Sequence, residues 1–146
     1  MLKRDQIGLT LPPFQARADA SQLRLFAKVV GETDPIYTDE AAARAAGYPT
    51  LPLPPTFLFS LELLQPVTDW REQIGLQYAR MLHGEQSFTY HRIGLAGETL
   101  QFETRIADIY EKKGGALEFV VKETRVTDQA GEAVADLRSV IVHRSA

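Results

Sequence analysis

The chain has 146 residues, 45% hydrophobic and 24% charged, and its 16 Lys and Arg stand against 19 Asp and Glu for a formal net charge of -3. A chain of this length buries roughly 70% of its unfolded surface, enough for one real core, so a single domain over 1–146 is expected and disordered or fibrous classes are excluded. A pI near 5.6 offers no one-sided basic field to nucleic acid or anionic lipid, and the lack of cysteine removes disulfides, thiol catalysis and thiolate metal sites together. His83, His91 and His143 lack metal-ligand spacing, so no metal is expected. No run approaches the ~18 apolar residues of a membrane span. Residues 1–9 carry Lys3, Arg4 and Asp5 in place of an apolar leader core, so a cytoplasmic protein with no membrane or nucleic-acid partner is expected.

All eight prolines lie at or before Pro66, which gives the chain two textures without dividing it into two domains. In the first half, Asp19 and Gln22 form a candidate capping box, and Leu23, Phe26, Ala27 and Val30 make one apolar stripe of a helix that ends at Gly31. Asp39 caps a short helix over 40–46, closed by Gly47. The proline-rich stretch 49–55 then opens into 56–65, with Pro55 suited to a first helical turn. Phe57, Leu58, Phe59, Leu61, Leu63 and Leu64 make that helix apolar on nearly every side, as if something wrapped around it.

The second half alternates with period two: Leu100, Phe102, Thr104 and Ile106 oppose Gln101, Glu103, Arg105 and Ala107, and Leu117, Phe119 and Val121 repeat the pattern. A third long strand is expected over 133–142 and a shorter one over 85–91, with turns at Gly114-Gly115 and 128–131. An apolar helix followed by long antiparallel strands predicts an α+β hot-dog fold, a curved sheet wrapped around a central helix.

The stretch Phe26-Ala-Lys-Val-Val-Gly-Glu-Thr-Asp-Pro-Ile-Tyr-Thr-Asp39, then Ala41-Ala-Ala-Arg-Ala-Ala-Gly47 and the Pro54-Pro-Thr-Phe57 helix entry, resembles the MaoC-like hydratase/dehydratase family, in its N-terminal-type subdivision. Leu82-His-Gly-Glu-Gln-Ser-Phe88 and Gly94-Leu-Ala-Gly-Glu-Thr-Leu100 are similar to the same subdivision. The resemblance implies a dimer or pseudo-dimer with its two helices side by side. It also implies acyl thioesters as substrates, with coenzyme A or acyl carrier protein as part of the substrate and no separate cofactor.

Catalytic members carry Gly-Asp-x-Asn-Pro-x-His after the first helix, where a carboxylate and an imidazole position water and move its proton. A backbone N–H at the central-helix start stabilises developing enolate charge. Here the motif reads Gly31-Glu-Thr-Asp-Pro-Ile-Tyr37, with Glu32 at the Asp position, Asp34 at the Asn position and Tyr37 at the His position. Tyrosine, titrating near pH 10, is a far poorer proton shuttle than histidine near 6.5. Pro54 and Pro55 stand where a His-Gly pair is usual, and proline has no N–H to offer. The resemblance therefore implies the catalytically degenerate, substrate-binding half of an (R)-specific enoyl-thioester hydratase or 3-hydroxyacyl-thioester dehydratase, paired as a heterodimer with a catalytic hot-dog subunit.

Other readings stand beside this one. A homodimer acting alone on acyl-CoA would use Glu32 or His83 as base, and an acyl-CoA binding module would do no chemistry. The plainer reading of the loop leaves Glu32 solvated, Asp34 turning the chain and Tyr37 packed. The Thr56 N–H is available to polarise a carbonyl, with a hydroxyl free for local helix-end bonding. His83 belongs to a substrate or subunit interface, or, more plainly, is a hydrogen-bonded edge-strand residue. His91 and His143 show no identifiable partner and read as structural. Arg80, Arg92, Lys112 and Lys113 suit phosphates or an acidic carrier surface, and suit a solvated face better. A thioesterase would rest on Glu62, which otherwise faces solvent or pairs across a dimer. Trp70 falls in an excursion between helix and sheet that, by resemblance, covers an acyl tunnel.

Overall fold

Apolar residues at every second position need a covered face, and in the computed structural model, which describes residues 1–66 and 68–144, five antiparallel strands share one sheet. In chain order they are β1 (Phe14–Arg17), β2 (Met81–Tyr90), β3 (Thr99–Lys112), β4 (Leu117–Thr127) and β5 (Ala133–Arg144). Their spatial order is β1-β3-β4-β5-β2, which leaves β1 and β2 at the edges. The reading of the first half as helices and connections missed β1. It is four residues long and follows Pro12-Pro13, and the stretch before those prolines also pairs with β3, the Leu11 N–H bonding the Thr104 carbonyl at 2.9 Å. Proline is tolerated there because this is an edge.

Among the described residues there are four α-helices, α1 (Ala20–Val30), α2 (Glu40–Ala45), α3 (Phe57–Glu62) and α4 (Trp70–Ile74), besides short 3-10 turns. The Asp19–Gln22 capping box forms, with the Asp19 N–H on Gln22 Oε1 at 2.9 Å. Gly31 ends α1 at φ 74°, a left-handed conformation that costs glycine little. The Asp39 carboxylate accepts the Ala41 N–H at 2.8 Å, as a cap should. Leu23 and Ala27 are fully buried, but Val30 is 54% exposed, so the stripe of α1 ends one turn early. Likewise α3 stops at Glu62, leaving Leu63 and Leu64 66% and 60% exposed, so the central helix is shorter than predicted and not apolar all round.

The core has two parts. Phe57, Leu58 and Leu61 of α3 pack with Leu23 against Leu100, Phe102, Val126 and Leu137 on the inner face of the sheet. Trp70 does fall between the central helix and β2, as expected, but that excursion contains the helix α4, and Trp70 and Ile74 are core residues packed with Ile106, Val120 and Ile141. On β3 the predicted inward set Leu100, Phe102, Thr104 and Ile106 is buried. A register shift after Ile106 then changes the phase, so that Ile109 faces in. On β4 the buried positions are Glu118, Val120, Thr124 and Val126, together with Val121 of the predicted set, while Leu117 is only half-buried. Phe119 is half-buried, stacked on Tyr110 at 4.8 Å. Both phases of β4 carry apolar residues, and pairing of Val120 with Ile109 and Ile141 decides between them. No helix among the described residues is long and apolar enough to cross a membrane.

Phe102 is fully buried and stacked on Phe14 at 5.0 Å. Phe102→Ala is expected to cost about 3–5 kcal/mol of stability, measured by urea denaturation.

Candidate functional site

The loop after α1 is held by its own side chains. The Glu32 N–H bonds the Ala27 carbonyl at 2.8 Å, and Glu32 Oε1 accepts the N–H groups of Thr33 and Asp34 at 2.8 and 3.0 Å. Glu32 is thus half-buried and structural at one oxygen, and is not simply solvated. Asp34 Oδ1 accepts the Ile36 N–H at 3.1 Å and starts a 3-10 turn over Pro35–Tyr37, and Arg24 Nε donates to the Thr38 carbonyl at 2.8 Å. Burial first, and then the charges of Glu32 and Asp34, push the Tyr37 phenol above its ordinary value. Tyr90, at the far end of β2, lies near enough to be affected by Tyr37, and burial with that neighbour pushes it up to about 12. Both phenols stay protonated at neutral pH and are therefore able to donate a hydrogen bond. Sequence reasoning missed Tyr90, and its only signal was its period-two position in β2.

At the entry to α3, Pro54 is buried while Pro55 and Thr56 are exposed. The Thr56 side chain makes no capping hydrogen bond, so the hydroxyl is not engaged in local helix-end bonding. His83 lies elsewhere, near the start of β2, with its ring stacked on Phe59 of α3 at 5.0 Å and its Nε2 3.2 Å from Gln86 Oε1. His83 and Tyr90 are seven residues apart on one strand, roughly 23 Å at about 3.3 Å per residue. The candidates therefore form two groups: Glu32, Asp34 and Tyr37 with Tyr90 at one end of β2, and His83 beside α3 at the other.

Glu62 corrects the sequence reading most. It is 3% exposed and faces the sheet rather than solvent or a subunit edge. Its Oε1 accepts from Thr124 Oγ1 at 2.5 Å and lies 3.4 Å from Lys122 Nζ, which sits 5.7 Å from the Trp70 ring. Glu62 Oε2 is buried and has no hydrogen-bond partner among the described residues, so this carboxylate is not an accessible nucleophile for a thioesterase. His91 and His143 do have partners: Asp136 at 2.7 Å and Glu118 at 3.2 Å. Arg92 is not a free surface charge. It bonds Glu98, and also Asp128 at 2.9 Å, tying the turn after β2 to the β4–β5 hairpin. None of the predicted site residues lines the hollow of about 750 Å³ over the outer face of the sheet, where Arg105, Glu123, Arg125, Asp136 and Arg138 gather.

The sheet on its central helix, the loop 31–38 and the His-Gly-Glu-Gln opening of β2 define a hot-dog protein of the MaoC-like hydratase/dehydratase class. The chain belongs to the FAS1-like, dehydratase domain region family, whose model matches residues 5–137. A UPF0336 protein of Saccharopolyspora erythraea is 34% identical over 146 residues, 98% of this chain and 92% of that one. Another, from Streptomyces coelicolor, is 36% identical over 149 residues, covering 99% and 97%. Among solved structures, a chain of the C-terminally truncated HadBC (3R-hydroxyacyl-ACP dehydratase) complex from Mycobacterium tuberculosis superposes with a TM-score of 0.84 at 27% identity, over 97% of this chain and 99% of that one. The R-hydratase PhaJ1 of Pseudomonas aeruginosa shares the fold, with a TM-score of 0.70 at 21% identity, over 96% and 83%.

Lys122→Met would leave the Glu62 carboxylate buried without its counter-charge, an expected loss of about 3 kcal/mol or more, which Glu62→Gln in the same chain should largely recover. Additive losses in a double-mutant cycle would contradict the pairing. The Arg92 guanidinium, and then the N–H groups of Glu132 and Ala130, hold the Asp128 carboxyl below its ordinary 3.8. A lowered carboxyl pKa stabilises the folded chain above the unfolded value, and that contribution is lost as pH falls through the folded one. Asp128→Asn should therefore lower Tm at neutral pH, with the gap from the parent closing as pH falls below 3.8 in calorimetric scans.

Proposed function

We propose that this chain is the substrate-binding, catalytically degenerate subunit of an (R)-specific enoyl-thioester hydratase or 3-hydroxyacyl-thioester dehydratase. A catalytic hot-dog chain supplies the carboxylate, imidazole and oxyanion N–H, and coenzyme A or acyl carrier protein is part of the substrate. The observation that carries this reading is the use of the catalytic positions. Glu32 and Asp34 spend carboxylate oxygens on their own loop, and Tyr37 is a phenol that holds its proton. His83 lies at the other end of β2, and His91, the neighbour of Tyr90, is engaged with Asp136.

The surface supports a paired state. Among the described residues β2 hydrogen-bonds only β5, which leaves its other edge open, and Leu82, Tyr78, Leu63 and Leu64 are each more than half exposed. Antiparallel addition of a second chain to that edge would bring opposite ends of two β2 strands together, so that one chain's tyrosine loop meets the other's His83 end. The similar HadBC structure is a complex of two different chains by its name.

The isolated protein should show no robust crotonyl-CoA hydration, with activity appearing on co-expression with a catalytic hot-dog chain. Full turnover by the protein alone would refute the degenerate assignment. A second reading, a self-sufficient homodimer with His83 or Glu32 as base, is favoured by the hydrogen bond that orients His83. It requires Glu32→Gln or His83→Ala to abolish that turnover.

A further inference from the structure

His83 and Gln86 are three positions apart on a strand, a spacing that normally puts side chains on opposite faces of a sheet. Here both face α3, because a bulge at Gly84 slips the register: His83 pairs with Ile141, Glu85 with Val140 and Gln86 with Ser139. Only glycine fits the bulge, since a Cβ at this position would lie 2.8 Å from Val142 Cγ2 and 3.1 Å from the Val140 carbonyl oxygen. The bulge re-aims the imidazole onto Phe59 and within 3.2 Å of Gln86 Oε1. That oxygen also accepts the hydroxyl of the buried Ser139 at 2.6 Å, which fixes the carboxamide. A carbonyl oxygen can only accept, so His83 Nε2 must donate. The neutral ring then carries its lone pair on Nδ1, and His83 is an exposed residue.

We propose that His83, positioned by Gln86 and Ser139 on the Phe59 ring, is a seat for an O–H donor, and that the ligand is the hydroxyl of a 3-hydroxyacyl thioester, accepted by Nδ1. This rests on the acyl-thioester reading above and adds a direction to it. The 2-enoyl thioester has no O–H to donate, so the seat distinguishes the hydrated from the dehydrated partner of the reaction. Gln86 and Ser139 are positioning residues, since they act only through the imidazole.

The test is side-chain 15N NMR of the full chain at about pH 8, above the ordinary imidazole range, with crotonyl-CoA and (R)-3-hydroxybutyryl-CoA as probes. The expected result is the Nε2–H tautomer, with Nδ1 moving on addition of the hydroxy thioester and not of crotonyl-CoA. By calorimetry the hydroxy thioester should bind roughly tenfold or more tightly, an advantage lost in His83→Phe. Gln86→Leu should mix the tautomers and remove the preference while the backbone amide spectrum stays folded. Gln86→Glu, which keeps an acceptor, should restore the Nε2–H form, a rescue that a merely packing role would not produce. A dominant Nδ1–H tautomer, or equal binding of both thioesters with Nδ1 silent, would overturn the seat and leave the acyl-thioester reading standing. Failure of either thioester to shift any resonance would overturn that reading and the seat with it.

Discussion

The packing of α3 against the inner face of the sheet is the contact on which the rest of the molecule depends. Six residues, Phe57–Glu62, do what a longer helix would do more easily. Phe57, Leu58 and Leu61 meet Leu100, Phe102, Val126 and Leu137, and removal of that much apolar area from water is the main favourable term available to the fold. Because the helix is so short, its polar end is still over the sheet when the chain turns away. Glu62 is carried inside, and a buried carboxylate is tolerable only with a counter-charge and donors. Lys122 and Thr124 meet that need from β4, whose register is fixed by β3 and β5.

Local chemistry was legible in the sequence and long-range phase was not. The Asp19–Gln22 box, the Asp39 cap and the Gly31 stop depend on neighbours within four residues, and all three form. The alternation of β3 could be read as far as Ile106, where the register shift breaks it. β4 could not be phased, because its odd and even positions both carry apolar residues. β1 was hidden by brevity and by the prolines before it.

The candidate loop at 31–37 was visible as a motif, yet the detail that matters chemically was not. That Glu32 folds back onto two N–H groups, and that Tyr90 arrives beside Tyr37 from a strand more than fifty residues away in sequence, are consequences of tertiary geometry. The same holds for Glu62. Its polarity in an apolar run drew notice, but only the sheet register puts Lys122 beneath it. His83-Gly84-Glu85-Gln86 could be matched to a family segment without its reason, which is that glycine at the bulge lets two residues of unlike parity share a face.

The strand order β1-β3-β4-β5-β2 also implies an order in time. β3, β4 and β5 form a meander joined by short turns, whereas β2 reaches its place beside β5 only after a loop of some fifty residues has closed. Local pairings form before distant ones, so the meander is the early and most protected part, and the two edge strands, β2 and the still more distantly paired β1, dock late and open first. His83 and Tyr90 both ride on one of those late strands. Amide exchange that ranks β4 slowest and the edge strands β1 and β2 fastest would show that the chain assembles its chemistry only after it has secured its fold.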